Sequence, residues 1–215
     1  MKFDLRAIAA AALIAAASPA PAVQVLSSTT ANLADSGTAS DLWLNAPYLT
    51  VNWGDAWADI GLLQFDLGGL PAADSATLSL YLWLNAGVDA SFALYVNTSP
   101  WVGSTADWAS RPEHAANPIA VLTLHAGSYA AGEWLNLDVS SAVAAWTSGV
   151  LSNNGFTLVR TDASNPYLYF AGAGAGPAFA PRLDMVSAVP EAGSAALMAL
   201  GLAASGLLRR RRFTR

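Results

Sequence analysis

Ala76-Thr77-Leu78-Ser79-Leu80-Tyr81-Leu82-Trp83-Leu84 alternates without a break. Leu78, Leu80, Leu82 and Leu84 face one way; Thr77, Ser79, Tyr81 and Trp83 face the other. A period of two over this length specifies a half-buried β-strand, because successive side chains leave a pleated backbone on opposite faces. Upstream, Ile60-Gly61-Leu62-Leu63-Gln64-Phe65-Asp66-Leu67 is apolar on both faces apart from Gln64 and Asp66. That is the pattern of a central strand, and Gly68-Gly69-Leu70-Pro71 separates the two.

Working outward, similar short runs recur with turn signals between them. Gln24-Val25-Leu26 reads as an edge strand, and Asp41 to Asn45 and Tyr48 to Asn52 as short strands around Ala46-Pro47. Trp53 to Asp59 reads as a loop bent at Gly54-Asp55. Phe92 to Val96, Ile119 to Leu124, Trp134 to Val139, Phe156 to Arg160, Tyr167 to Phe170 and Arg182 to Val186 complete the set. One helix fits between the last group, with Ser140 or Asp138 as N-cap, Val139, Val143 and Trp146 on one stripe, and Gly149 as terminator. Gly172-Ala173-Gly174-Ala175-Gly176-Pro177 reads as a flexible loop. Many short strands and one short helix specify an all-β chain, an antiparallel β-sandwich or jelly roll.

The two ends read as processing segments rather than fold. Met1-Lys2 to Arg6 is a basic start, Ala7 to Ala17 a short apolar core, and Ser18-Pro19-Ala20-Pro21-Ala22 offers a small-x-small cleavage site before Val23. Residues 1–22 are thus expected to be a secretory signal peptide, cut by signal peptidase between Ala22 and Val23. At the other end, Val189-Pro190-Glu191 precedes an uncharged stretch from Ala192 to Leu208, followed by Arg209, Arg210, Arg211 and Arg212 in a basic tail that runs to Arg215. The uncharged stretch is about the shortest helix that can cross a bilayer, which needs roughly 17–25 residues. Its arginines would stay on the cytoplasmic side.

Removing both segments changes the charge. Between Val23 and Ala188 there is no lysine, and Arg111, Arg160 and Arg182 stand against thirteen carboxylates, a formal charge of −10. Such a surface repels phosphate backbones, which excludes nucleic acid as a partner. The sequence has no cysteine, so disulfides, thiol nucleophiles and thiolate metal sites are excluded, and the domain must rest on its apolar core.

The C-terminal segment resembles the PEP-CTERM sorting signal in its Pro-Glu tripeptide, short helix and terminal arginine cluster. The resemblance covers residues 189–215 and implies transient anchoring in the inner membrane, then recognition by an exosortase and delivery to the cell surface or extracellular matrix. An ordinary single-pass anchor is the alternative. The domain at 23–188 resembles the DNRLRE family. The letters that carry it are Leu62-Leu63-Gln64-Phe65-Asp66-Leu67 with Leu70-Pro71, Ala76 to Tyr81, Asp107-Trp108, Arg111-Pro112, Trp134, Asp138-Val139, Val143, Trp146, Gly149, Asn154-Gly155-Phe156 and Pro181-Arg182-Leu183. The hexapeptide that names the family is absent. The resemblance implies a β-sandwich associated with polysaccharide binding, including a carbohydrate-binding-module family linked to alginate.

Sugar recognition needs flat aromatic faces for the pyranose C–H groups, with carboxylates and amides for the hydroxyls. Trp53, Trp57, Trp101 and Trp108 fall in expected loops near Asp55, Asp59, Asn97 and Asp107. Tyr81 and Trp83, pointing away from the leucine face, offer a platform on the sheet. The expected carbohydrate-binding residues are Trp53, Trp57 and Trp83 with Asp55 and Asp59; for each single tryptophan of this set the competing reading is a plug at the end of the sandwich, and Asp107-Trp108 is expected to be structural. No cofactor is expected, with calcium held by Asp55 and Asp59 as the alternative, since loop carboxylates are hard-oxygen ligands. No catalytic residue is expected either, because Asp66 and Asp138 are explained by turn and cap hydrogen bonds. The function that follows is an exported, non-catalytic module binding or organising extracellular polysaccharide. The competing reading is a structural matrix protein without a glycan site.

Overall fold

A computed structural model describes residues 22–35, 40–54, 57–85, 89–126, 132–162 and 168–187. The signal segment before Ala22 and the sorting segment from Val189 lie outside the described residues. No helix among the described residues is long and apolar enough to cross a membrane. The described residues form twelve strands: β1 (Ala22–Asp35), β2 (Ser40–Leu44), β3 (Tyr48–Thr50), β4 (Asn52–Gly54), β5 (Trp57–Phe65), β6 (Ala73–Asn85), β7 (Ala90–Val96), β8 (Ala120–Leu124), β9 (Glu133–Asp138), β10 (Phe156–Arg160), β11 (Leu168–Ala171) and β12 (Arg182–Ser187). The helix α1 (Ser140–Thr147) lies between β9 and β10.

All these strands pair antiparallel, in two sheets joined by β1. In the first sheet, β6 carries β9 along one flank and β12 followed by β11 along the other, with β3 outside β11. The second sheet runs β2-β1-β5-β10-β7-β8, and β4 pairs the start of β5. The start of β1, Ala22–Leu26, is the expected edge strand of the first sheet, paired with β12. The chain then continues where no strand was expected, crosses into the second sheet and lies between β2 and β5 up to Asp35. A register shift between Ser27 and Thr29 marks the crossing. Such irregularities bend a strand and let it change sheets.

The core lies between the sheets. Leu78, Leu80 and Leu82 of β6, with Leu135, Leu137, Leu183 and Phe170, meet Leu63, Phe65, Phe92, Leu94, Phe156 and Leu158 from the other side. Phe92 and Phe170 touch across the gap with ring centroids 5.2 Å apart. Burying each such side chain contributes about 1.5–3 kcal/mol. The strands and this core close within Ala22–Ala188, which forms a compact unit by itself.

Three local readings need correction. Trp53 to Asp59 is a β-hairpin rather than a loop: Asn52 pairs Asp59, Trp53 pairs Ala58 and Gly54 pairs Trp57. The helix starts after Val139, and Asp138 works from one residue further back, accepting the Ser140 amide at 2.9 Å and the Ser140 hydroxyl at 2.6 Å. Gly149, at φ +75°, ends the helix as expected. Finally, the Gly/Ala run before β12 is closely packed and includes a 3₁₀ turn at Ala173–Ala175. A Cβ at Gly172 would stand 2.3 Å from the Ala46 carbonyl oxygen, and one at Gly174 would stand 2.2 Å from that of Asn45. These glycines let two backbones approach; Gly172 and Gly174 donate to the Pro47 and Ala46 carbonyls at 2.9 and 3.2 Å.

The outer face of the second sheet is covered. Leu33, Ile60 and Leu62 form a second cluster with Trp101 and Ala106 from the long connection between β7 and β8, and Trp108 packs against it. The Trp101 indole donates to the Asn154 carbonyl at 3.0 Å.

Candidate functional site

The outer face of the first sheet holds the residues of β6 that oppose the leucines. Tyr81 stands in register with Trp134 of β9, and their ring centroids are 5.3 Å apart at an interplanar angle of 67°. Trp83 lies two residues further along β6, 6.1 Å from Tyr81 at 74°. The pairing is irregular here: Phe170 pairs Leu82 and Tyr169 pairs Leu84, so Trp83 is skipped in the ladder while staying on the Tyr81 side of the sheet. A bulge of this kind re-aims the residue it contains.

Two further strands and the segment before β12 extend the row. Tyr48 of β3 meets Trp83 at 5.3 Å and 80°, and Tyr169 of β11 meets Tyr48 at 6.0 Å and 76°. Phe179, from the segment leading into β12, sits 4.8 Å from Tyr81 and 5.9 Å from Trp83. Tyr48 is 42% exposed and Trp83 and Phe179 are each 37% exposed, values high enough for a ligand to reach the rings. Tyr81, Trp134 and Tyr169 are half-buried.

Buried polar groups fix the outermost ring. The Asn32 side chain behaves as a missing strand for β3, donating to the Tyr48 carbonyl at 2.8 Å and accepting the Thr50 amide at 2.8 Å. The preceding turn has Asn45 at φ +46°, and its side-chain oxygen accepts the Thr30 amide at 2.9 Å. Asparagine tolerates that left-handed conformation better than most side chains.

Beside the rings the face is polar. The Arg182 guanidinium lies 3.9 Å over the Trp134 ring and 3.5 Å from Asp184. Gln24 donates to Asp184 at 2.7 Å, and the Ser79 hydroxyl to Asn136 at 2.8 Å. Hydrogen bonds from the Ser140 hydroxyl and then the Ser140 amide hold the Asp138 carboxyl below the usual carboxylate range. A row of aromatic rings flanked by amides and carboxylates can stack on pyranose rings and bond their hydroxyls.

Residues 25–185 match the family model of carbohydrate-binding module family 96. The chain belongs to that family. No match was found among curated proteins. The module is a binding domain by family, and the matched span runs from β1 to β12, so it takes in the whole aromatic face.

Of the residues expected from sequence, Trp83 is at the centre of this face and Tyr81 beside it. The side chains of Trp53 and Trp57 and all of Asp55 lie outside the described residues. Asp59 is buried in β5, where one of its carboxylate oxygens accepts from the Asn52 side-chain amide at 2.9 Å. Among the described residues no group of three or more His, Asp or Glu is placed to hold a metal. Trp101 is buried under the other sheet and Trp108 half-buried there, as plugs rather than platforms. Asp66 accepts the Gly68 amide at 2.9 Å in the turn after β5. Sequence reasoning missed Tyr48, Trp134, Tyr169 and Phe179. Trp134 had a local signal, since Trp134-Leu135-Asn136-Leu137 alternates out of phase with its leucines.

Proposed function

We propose that the protein is an exported, non-catalytic module that binds extracellular polysaccharide through the outer face of its first sheet. The observation that supports this best is the partly exposed row Trp134, Tyr81, Trp83 and Tyr48, with Phe179 against it, in a chain of a carbohydrate-binding family. In this reading the N-terminal segment is removed by signal peptidase. Val23 then begins the processed chain inside β1, opposite Met185, so cleavage there leaves the strand nearly whole. The segment from Val189-Pro190-Glu191 to Arg212 serves as the exosortase sorting signal and as a transient inner-membrane anchor. Calcium is not required by this reading, because the face relies on rings and hydroxyl-bonding groups.

Affinity electrophoresis of residues 23–188 through gels holding soluble polysaccharides, each with calcium and with chelator, tests the proposal. Retardation that is lost in Trp83→Ala supports it. Free migration in every gel contradicts it and favours the matrix-protein reading, in which the same aromatic face contacts another protein.

A further inference from the structure

The face also carries information about the class of glycan, and that information comes from ring tilt and charge. Adjoining rings are inclined to one another by 48° to 80°, and no touching pair in the row is coplanar. A crystalline glycan presents a plane, which rings can cover only by lying flat in a common plane. Tilted rings offer their faces one at a time, which suits a single chain that can turn from one sugar to the next.

Charge narrows the class further. A polyuronate carries a carboxylate on every sugar and needs cations to replace the water it loses. The domain has three arginines and no lysine between Val23 and Ala188. Arg160 is buried and paired with Asp162. Arg111 lies 4.6 Å over Trp108 and donates to its carbonyl, in the connection that covers the other sheet. Arg182 alone reaches the aromatic face, where Asp184 stands 3.5 Å away. Asp138 is also on this face, opposite Thr77 in the ladder, and its hydrogen bonds from Ser140 favour the ionised form. One arginine thus meets two carboxylates, in a domain of charge −10.

We infer that the outer face of the first sheet takes single, soluble chains of an uncharged polysaccharide, and takes neither polyuronates nor crystalline glycan surfaces. The inference rests on reading that face as the glycan site. Asn136 and Gln24, both exposed, supply the neutral hydrogen-bonding groups for hydroxyls, and the tilted rings supply the stacking.

The test uses residues 23–188, wild type and Trp83→Ala, in gels of glucomannan, mixed-linkage β-glucan, alginate and polygalacturonate, with calcium and with EDTA. Microcrystalline cellulose and chitin powders are run as pull-downs. The expected result is retardation by a neutral soluble polymer, weakened about tenfold or more in Trp83→Ala. It should persist at about 0.5 M salt, because no exposed ion pair carries it. Stronger retardation by a polyuronate, lost in Trp83→Ala, would overturn the neutral class while leaving the glycan face in place. Retention on a powder with no soluble binding would overturn the single-chain part in the same way. Binding to nothing, or neutral-glycan binding indifferent to Trp83→Ala, would remove both the face and the inference built on it.

Discussion

The two outer faces of the sandwich carry the same kinds of residue and have opposite fates. On the second sheet, Trp101 and Trp108 sit against Leu33, Ile60 and Leu62 beneath the connection between β7 and β8, and the Trp101 indole is satisfied by the Asn154 carbonyl. On the first, Trp83, Tyr48 and Phe179 remain open to solvent. The difference is one of cover. A long connection folds back over one sheet, whereas the segment before β12 delivers Phe179 to the edge of the aromatic row and stops there, held by its own packing against Ala46 and Pro47. Aromatic content alone therefore does not distinguish a core plug from a platform.

The contrast breaks most visibly under stability measurements. Trp101→Ala should cost about 3–5 kcal/mol, read by urea unfolding, because it empties a buried site. The molecules that remain folded should bind glycan as before. Asn32→Ala comes next, at about 1–3 kcal/mol, since it leaves buried backbone groups of β3 without partners. It should also weaken binding, because Tyr48 loses its anchor. Trp83→Ala should reverse the pattern: affinity falls about tenfold or more, while unfolding shifts by about 1–2 kcal/mol, well short of Trp101→Ala.

Acid provides the smallest effect. The Ser140 hydroxyl and then the Ser140 amide hold the Asp138 carboxyl below its ordinary carboxylate value in the folded state. A depressed folded value means that the contribution is fully present above the unfolded value and is lost as pH falls through the folded one. Melting curves from pH 7 down to about pH 2 should show Tm dropping below about pH 4. In Asp138→Asn that acid limb should be shallower.

How much of this was readable in the sequence depends on how local the cause is. β6 was legible because its leucines alternate, and that alternation already placed Tyr81 and Trp83 opposite the core. β5 was legible as a central strand because it is apolar on both faces, and both are indeed covered. The continuation of β1 from Ser27 to Asp35 was not, since its Ser, Thr and Asn residues pair with β5 through backbone bonds that need no apolar pattern. Nor could Tyr48 be placed, because its position depends on Asn32, sixteen residues earlier, and on a glycine approach from Gly172 and Gly174.

The most direct test follows the tryptophan indole N–H resonances of residues 23–188 by nitrogen–proton correlation NMR during titration with the neutral polysaccharide that binds. The account predicts shifts for Trp83 and Trp134, with Trp101 and Trp108 stationary. Shifts at Trp101 or Trp108 while Trp83 and Trp134 stay still would place the site on the other face and contradict it.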